Sequence, residues 1–321
     1  MCARARDRGR PRPDLDTRSC LLRAGTASTS GRRSRRSRPI ATELLLEING
    51  TELFIKRIDS GDPLIVVHGG PVLEHGYLLP HFEPLAEHYE LIFYDQRLSG
   101  RSAATVEPST VRAATFVDDI ETIRQTLDLG PVHLAGHSWG GFLAMQYAIR
   151  YPDNLRSLLL LDSMAASSEL WQAEQASQAT QISPETQAEI ASLRDTAAFQ
   201  QRRPEAIAAM LTLSFRPQFS DPSHLSELQL YVPADYVSRC TQFGAMMIGL
   251  EAFDFHAELS ELDVRTLVLY GADEAGAKIG GAEIAATIPG ARFELIPNAG
   301  HFPFIENQAA FVAAVLAFLQ V

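Results

Sequence analysis

A serine set among glycines, Gly136-His137-Ser138-Trp139-Gly140-Gly141, can act as a nucleophile if it stands on a sharp turn from a strand into a helix. The apolar run at 132–135 leads into it, and a helical stretch from Phe142 to Tyr151 follows. Glycine suits 136 and 140, because a side chain at either place would collide with the neighbouring strand or helix. The serine also falls at a helix N-terminus, whose unpaired N–H groups favour developing negative charge. A dinucleotide-binding turn would need glycine where Ser138 stands, so that alternative fails.

A serine hydroxyl is a weak nucleophile until a histidine takes its proton, and the histidine needs an anion to fix its tautomer. In strand-turn-helix hydrolases the chain order is serine, acid, histidine. Downstream of Ser138 stand His224, His256 and His301. His301 lies in Asn298-Ala299-Gly300-His301-Phe302-Pro303, directly after the strand-like run 292–296, where a base is expected. His224 and His256 fall in or at the edge of a helical insertion and are expected to be structural. The run 266–270 ends in Gly271-Ala272-Asp273-Glu274, which nominates Asp273 as the acid. Its rivals are the adjacent Glu274 and Asp162, which follows the run 158–161. His137 touches Ser138 in sequence, but neighbouring side chains diverge, so packing or a local hydrogen bond is expected of it.

The run 64–67 ends in His68-Gly69-Gly70-Pro71. Such a loop supplies one N–H to an oxyanion, here from Gly70, and the residue after the nucleophile, Trp139, supplies the second. His68 reads as an anchor. The loop lacks the Lys-Ser/Thr ending of a phosphate cradle, and no H-E-x-x-H occurs. His81, Glu83, Glu87 and His88 read as one wet helix face. No metal and no cofactor is expected.

These residues need a scaffold. Residues 43–48 and 52–58 alternate around Asn49-Gly50, a dipeptide suited to a tight hairpin. Short apolar runs follow at 64–67, 91–94, 132–135, 158–161, 266–270 and 292–296, bounded by Gly, Pro or Asp as buried parallel strands are. Amphipathic stretches lie between them, such as 115–129 with Phe116, Ile120, Ile123 and Leu127 on one face. The pattern predicts an α/β fold: a mostly parallel sheet with an N-terminal antiparallel hairpin and helices on both faces. The alternation breaks at 163–257, which is rich in Gln, Ala, Ser and Glu with helical spacing, notably 171–180 and 204–213. This stretch is expected to form a helical cap over the strands' carboxyl ends, where ligands bind in such sheets. The core is then 39–162 plus 258–321.

Composition narrows the partners. The 321 residues carry a net charge of -11, although residues 1–38 are Arg-rich with only Asp7, Asp14 and Asp16 as acids. The acidic body argues against nucleic acid. The Arg-, Ser-, Pro- and Gly-rich tail is expected to stay disordered. Lys56 and Lys278 are the only lysines, which leaves little room for Ser–Lys or Schiff-base chemistry. Cys2, Cys20 and Cys240 cannot build a disulfide framework. No apolar run reaches the ~18 residues of a membrane span, and no secretory leader is evident. A cytoplasmic protein acting on a small molecule or short peptide is expected.

Taken together, His68-Gly69-Gly70-Pro71, Phe93-Tyr94-Asp95-Gln96-Arg97 with Ser99-Gly100-Arg101-Ser102, and the Gly136–Gly141 segment resemble the prolyl aminopeptidases (proline iminopeptidases). The resemblance implies an α/β-hydrolase fold with a helical cap, and metal-free release of N-terminal residues, often proline. It covers 43–162 and 258–321 well and the cap poorly. It also implies carboxylates for the substrate's ammonium. Glu274 matches a family glutamate that follows the catalytic aspartate, and the nearest match to a second, cap-borne acid is Gln242, with Glu251 and Asp254 as other candidates. The family's His-Gly-Gly-Pro-Gly is broken by Val72. An aminopeptidase is therefore the first expectation, and an esterase or lactonase for small acyl compounds the alternative.

Overall fold

The computed structural model describes residues 41–248 and 252–320. The Arg-rich tail, Cys2, Cys20 and Glu251 lie outside the described residues. Eight strands form one sheet: β1 (Ala41–Ile48), β2 (Thr51–Ile58), β3 (Asp62–Val67), β4 (Tyr89–Tyr94), β5 (Val132–His137), β6 (Leu155–Leu161), β7 (Thr266–Gly271) and β8 (Arg292–Ile296). Their order is β1-β2-β4-β3-β5-β6-β7-β8. β1 pairs antiparallel with β2, and β2 antiparallel with β4. The remaining neighbours are parallel. Asn49 and Gly50 both adopt positive φ, 47° and 75°, the conformation of a two-residue hairpin turn matched to strand twist.

The central strands are largely apolar because both faces are covered. β4, β5 and β7 are buried at every position. Ile65, Val67, Leu134, Leu158 and Leu160 point to one layer, where Phe116, Ile120 and Phe142 meet them. Leu64, Val66, Leu159, Leu161 and Leu269 point to the other, against Phe304, Phe311 and Val315. Period-two alternation thus sorts one sheet into two cores, each closed by helices.

Between β6 and β7 the chain leaves the sheet. The inserted helices include Ser168–Thr180, Pro184–Arg194, Pro204–Phe215 and Tyr236–Ile248. Pairing among the described insertion residues is limited to an isolated bridge, Ser167 to Asp254. Ser167, Ser183 and Thr196 each cap a helix with a hydroxyl that accepts a backbone N–H. No helix of the described residues is long and apolar enough to cross a membrane.

Candidate active site

Ser138 sits between β5 and the helix Trp139–Arg150 with φ 55° and ψ −119°, a strained conformation that is tolerated where surroundings enforce it. They do so closely. A Cβ on Gly136 would stand 2.3 Å from Gly140 O, and one on Gly140 would stand 2.2 Å from Val67 O. The Ser138 N–H donates to Leu161 O at 3.0 Å, which fastens the turn to β6.

His301 follows β8. Its N–H donates to Gln218 O of the insertion at 2.8 Å. Its Nδ1 lies 3.7 Å from Glu274 Oε1, both side chains being largely buried. Gln178 donates to the same Glu274 oxygen at 3.2 Å. Burial works to raise the Glu274 carboxyl, but its interaction with His301 and the Gln178 bond outweigh burial and hold it below the usual range. Ser138, His301 and Glu274 all line one cavity of about 280 Å³.

Asp273 does not join them. Its side chain is exposed, and its Oδ2 accepts from Ser220 Oγ at 2.7 Å. The reason is local. Glu274 N–H returns to Gly271 O at 3.2 Å, closing a tight turn after β7. Within that turn one residue of offset reverses the side-chain direction, so Asp273 faces outward and Glu274 faces the histidine. The expected position of Asp273 beside His301 is corrected accordingly.

Further carboxyls reach the same cavity. Asp162, after β6 and also at positive φ (40°), accepts from Gly271 N–H at 2.9 Å through Oδ1. Its Oδ2 is buried with no hydrogen-bond partner. Burial first, then the nearby Glu274 charge, hold Asp162 far above an ordinary carboxyl. Glu174, from the inserted helix Ser168–Thr180, is the one buried side chain of that helix. It accepts from Gly280 N–H at 3.2 Å, and burial pushes it up to about 8. Sequence reasoning passed over Glu174. Its signal was a shared face with Trp171 and Gln178, three and four residues away on either side, which also line the cavity.

Gln242 lies elsewhere. It donates to Ala104 O at 3.1 Å, and its helical neighbour Arg239 donates to Gly100 O and Ser102 O. These bonds moor the insertion to the core. Asp254 accepts from His256, whose other ring nitrogen meets Glu283.

The loop after β3 is tied to the base. Gly70 is left-handed at φ 55°, and so is Val72 at 69°. Gly69 N–H donates to Tyr77 Oη at 2.7 Å, and that hydroxyl pairs with His137 Nδ1 at 2.7 Å. His137 Nε2 in turn donates to His301 O at 3.0 Å. Burial, with the charge of His301 adding to it, keeps His137 well below its ordinary value, so the ring serves as a neutral tie. On the opposite side Gln96 donates to His68 O at 2.7 Å and accepts from Trp139 Nε1 at 3.0 Å. His68 Nε2 accepts from Gln96 N–H at 3.1 Å, and burial holds that ring down to about 4.

Glu74, His75 and Asp95 bring ligand-type atoms together. His75 Nδ1 lies 2.6 Å from Asp95 Oδ1, Arg101 N–H donates to Asp95 Oδ2 at 2.8 Å, and Gly76 N–H donates to Glu74 at 2.7 Å. The cluster clamps the loops after β3 and β4 together.

A strand-turn-helix serine, a histidine from the loop after β8 and a carboxylate from the loop after β7 define a class. The family model of the alpha/beta hydrolase fold matches residues 62–308, and the chain belongs to that family. It is a hydrolase of the serine type. Within the family it is similar to a proline iminopeptidase of Levilactobacillus brevis, 30% identical over 266 residues, or 80% of this chain and 88% of that one. A proline iminopeptidase of Clostridium botulinum is 27% identical over 255 residues, or 78% and 87% of the two chains. Among solved structures, a proline iminopeptidase from Mycobacterium smegmatis matches with a TM-score of 0.64 at 23% identity, covering 87% of this chain and 98% of that one. An esterase from Thermogutta terrifontis matches with 0.63 at 25% identity and the same coverage.

Proposed function

We propose that the protein is an aminopeptidase that releases an N-terminal residue, preferably proline, from short peptides through a Ser138–His301–Glu274 relay. Glu274 faces Nδ1 of His301, which leaves Nε2 for the serine. Ser138 Oγ attacks the carbonyl carbon as Nε2 takes its proton, and the N–H groups of Gly70 and Trp139 receive the oxyanion. The C–N bond then breaks, and the leaving nitrogen takes the proton from Nε2. Water attacks the acyl-enzyme, gives a proton to the same nitrogen, and the serine recovers its proton as the acid departs. Glu274 balances the imidazolium in both halves.

The observation that carries the peptidase reading is the carboxyl count around Ser138. Glu274 is engaged by the histidine, and Asp162 and Glu174 remain, buried in the same cavity. An ammonium there would meet acceptors that burial otherwise keeps protonated. The proline iminopeptidase relatives support the same assignment. Those protonated carboxyls also favour the alternative, an esterase or lactonase for uncharged acyl compounds.

Comparing a prolyl anilide, its N-acetyl form and a short p-nitrophenyl ester separates the two. The free amine should be cleaved at least about a hundredfold faster than the acetylated one, since a desolvated charge pair is lost. Equal rates would remove the aminopeptidase reading and leave the esterase. Ser138→Ala should abolish turnover of every substrate; retained turnover would sink the mechanism.

A further inference from the structure

Ser138 borders two chambers, and they differ in chemistry. The larger holds Asp162, Glu174 and Glu274. The second, of about 40 Å³, shares Gly70, Ser138, Phe215 and His301 with the first, but its own walls are Leu73, Tyr77, Leu228, Leu230 and Phe302, with His137 at the base. The polar atoms in that wall are committed to the protein. The Tyr77 hydroxyl takes the Gly69 N–H and pairs with His137 Nδ1, while His137 Nε2 is held by His301 O. Beyond the reacting groups of Gly70, Ser138 and His301, which border both chambers, a polar side chain entering here finds no uncommitted partner. Its volume is about three times the ~10–15 Å³ that one water requires, which suits a side chain of three or four carbons.

We infer that this chamber receives the side chain of the leaving residue, and that the enzyme selects small apolar residues after the released one. The inference rests on the aminopeptidase reading above. In an N-terminal residue the amine and the scissile carbonyl share one carbon, so a cation drawn to Asp162 and Glu174 places the acyl part in the acidic chamber. The group across the scissile bond then turns to the other side of Ser138. There His301, which must protonate the departing nitrogen, and its neighbour Phe302 form the wall.

The test uses prolyl-glycinamide, prolyl-valinamide, prolyl-asparaginamide and prolyl-phenylalaninamide with the full-length enzyme. Valine and asparagine are both uncharged, so the acidic cavity does not bias the comparison. kcat/KM for valinamide should exceed that for asparaginamide by about tenfold or more. Leu230→Phe, which fills the chamber, should lower the valine-to-glycine ratio by about tenfold, and Leu230→Ala should shift preference toward phenylalanine. Each ratio is taken within one variant, so altered stability cancels. Ratios near one in the wild type, or ratios that neither variant moves, would overturn the inference. So would a slower deacylation of the common prolyl-enzyme in Leu230→Phe, read by partitioning to added hydroxylamine, because that places the acyl part in the chamber. Failure to cleave prolyl-glycinamide would instead strike the aminopeptidase reading. The chamber is then read from methyl against isobutyl acetate: an isobutyl preference lost in Leu230→Phe sustains it, and an unmoved ratio ends it.

Discussion

Adjacent carboxylates, Asp273 and Glu274, meet different worlds: a surface serine hydroxyl for one, the imidazole of His301 for the other. Glu274→Gln should therefore lower kcat/KM by about 10³–10⁴-fold, whereas Asp273→Asn should stay close to wild type in the same steady-state assay. The reverse ranking would return the role to Asp273. Chain order and the strand before them are legible in sequence, and they bring the acid to within one residue. The last step is not legible, because the φ/ψ of the turn after β7 decides which of two neighbours faces inward. Glu174 makes a second prediction. Its carboxyl is raised to about 8 by burial, so it is protonated below that pH and becomes the better partner for an ammonium as pH rises through it. KM for a prolyl anilide should fall by about an order of magnitude between pH 6.5 and 8, and Glu174→Gln should flatten the slope; a flat wild-type profile would contradict the role. The same raised value means the folded state holds this proton more tightly than the unfolded chain. Its contribution to stability is complete below the ordinary 4.5 and is lost as pH climbs through about 8.

At the scale of elements, sequence is a good guide wherever burial is two-sided. The strands are found within three residues of their expected ends, β3 beginning at Asp62 and β6 at Leu155, because a strand covered on both faces must be largely apolar. The insertion is less readable. Its helices are marked by spacing and caps, but which face meets the cavity depends on how the helices dock, and so Gln242 ends at Ala104 while Glu174 ends beside Ser138. The tie from Gly69 through Tyr77 and His137 to His301 also escapes local patterns, since its members lie far apart in the chain. Tyr77→Phe removes the hydroxyl and strands the Gly69 N–H. It should cost about 1–3 kcal/mol of stability and lower kcat more than it raises KM. Denaturant midpoints and steady-state kinetics check both, and unchanged kcat in a destabilised variant would reduce the tie to scaffolding.

Over the whole molecule, one buried ion pair helps tie a loop, a hairpin and a helix together. Arg97, from the loop after β4, grips Asp119 with bonds of 2.8 and 2.7 Å. Asn49 of the hairpin turn donates to the same carboxylate at 3.0 Å. Loop, hairpin and the helix Ala113–Thr126 are thus fastened at one point. Asp119→Ala leaves the guanidinium buried without its carboxylate, and should destabilise by about 3–5 kcal/mol, seen as a lower urea midpoint. A loss below about 1 kcal/mol would show that water or a neighbour compensates the arginine.

The distance along the chain between Gly69 and His301 has a bearing on biosynthesis. On the proposed mechanism, a ribosome exposes the hydroxyl of residue 138 well before it has made the imidazole, and the hydrogen-bonded bridge through Tyr77 cannot close until residue 301 is laid down. Chains that stop short of residue 301 therefore carry an inert alcohol, and hydrolytic power switches on only once that imidazole has been made.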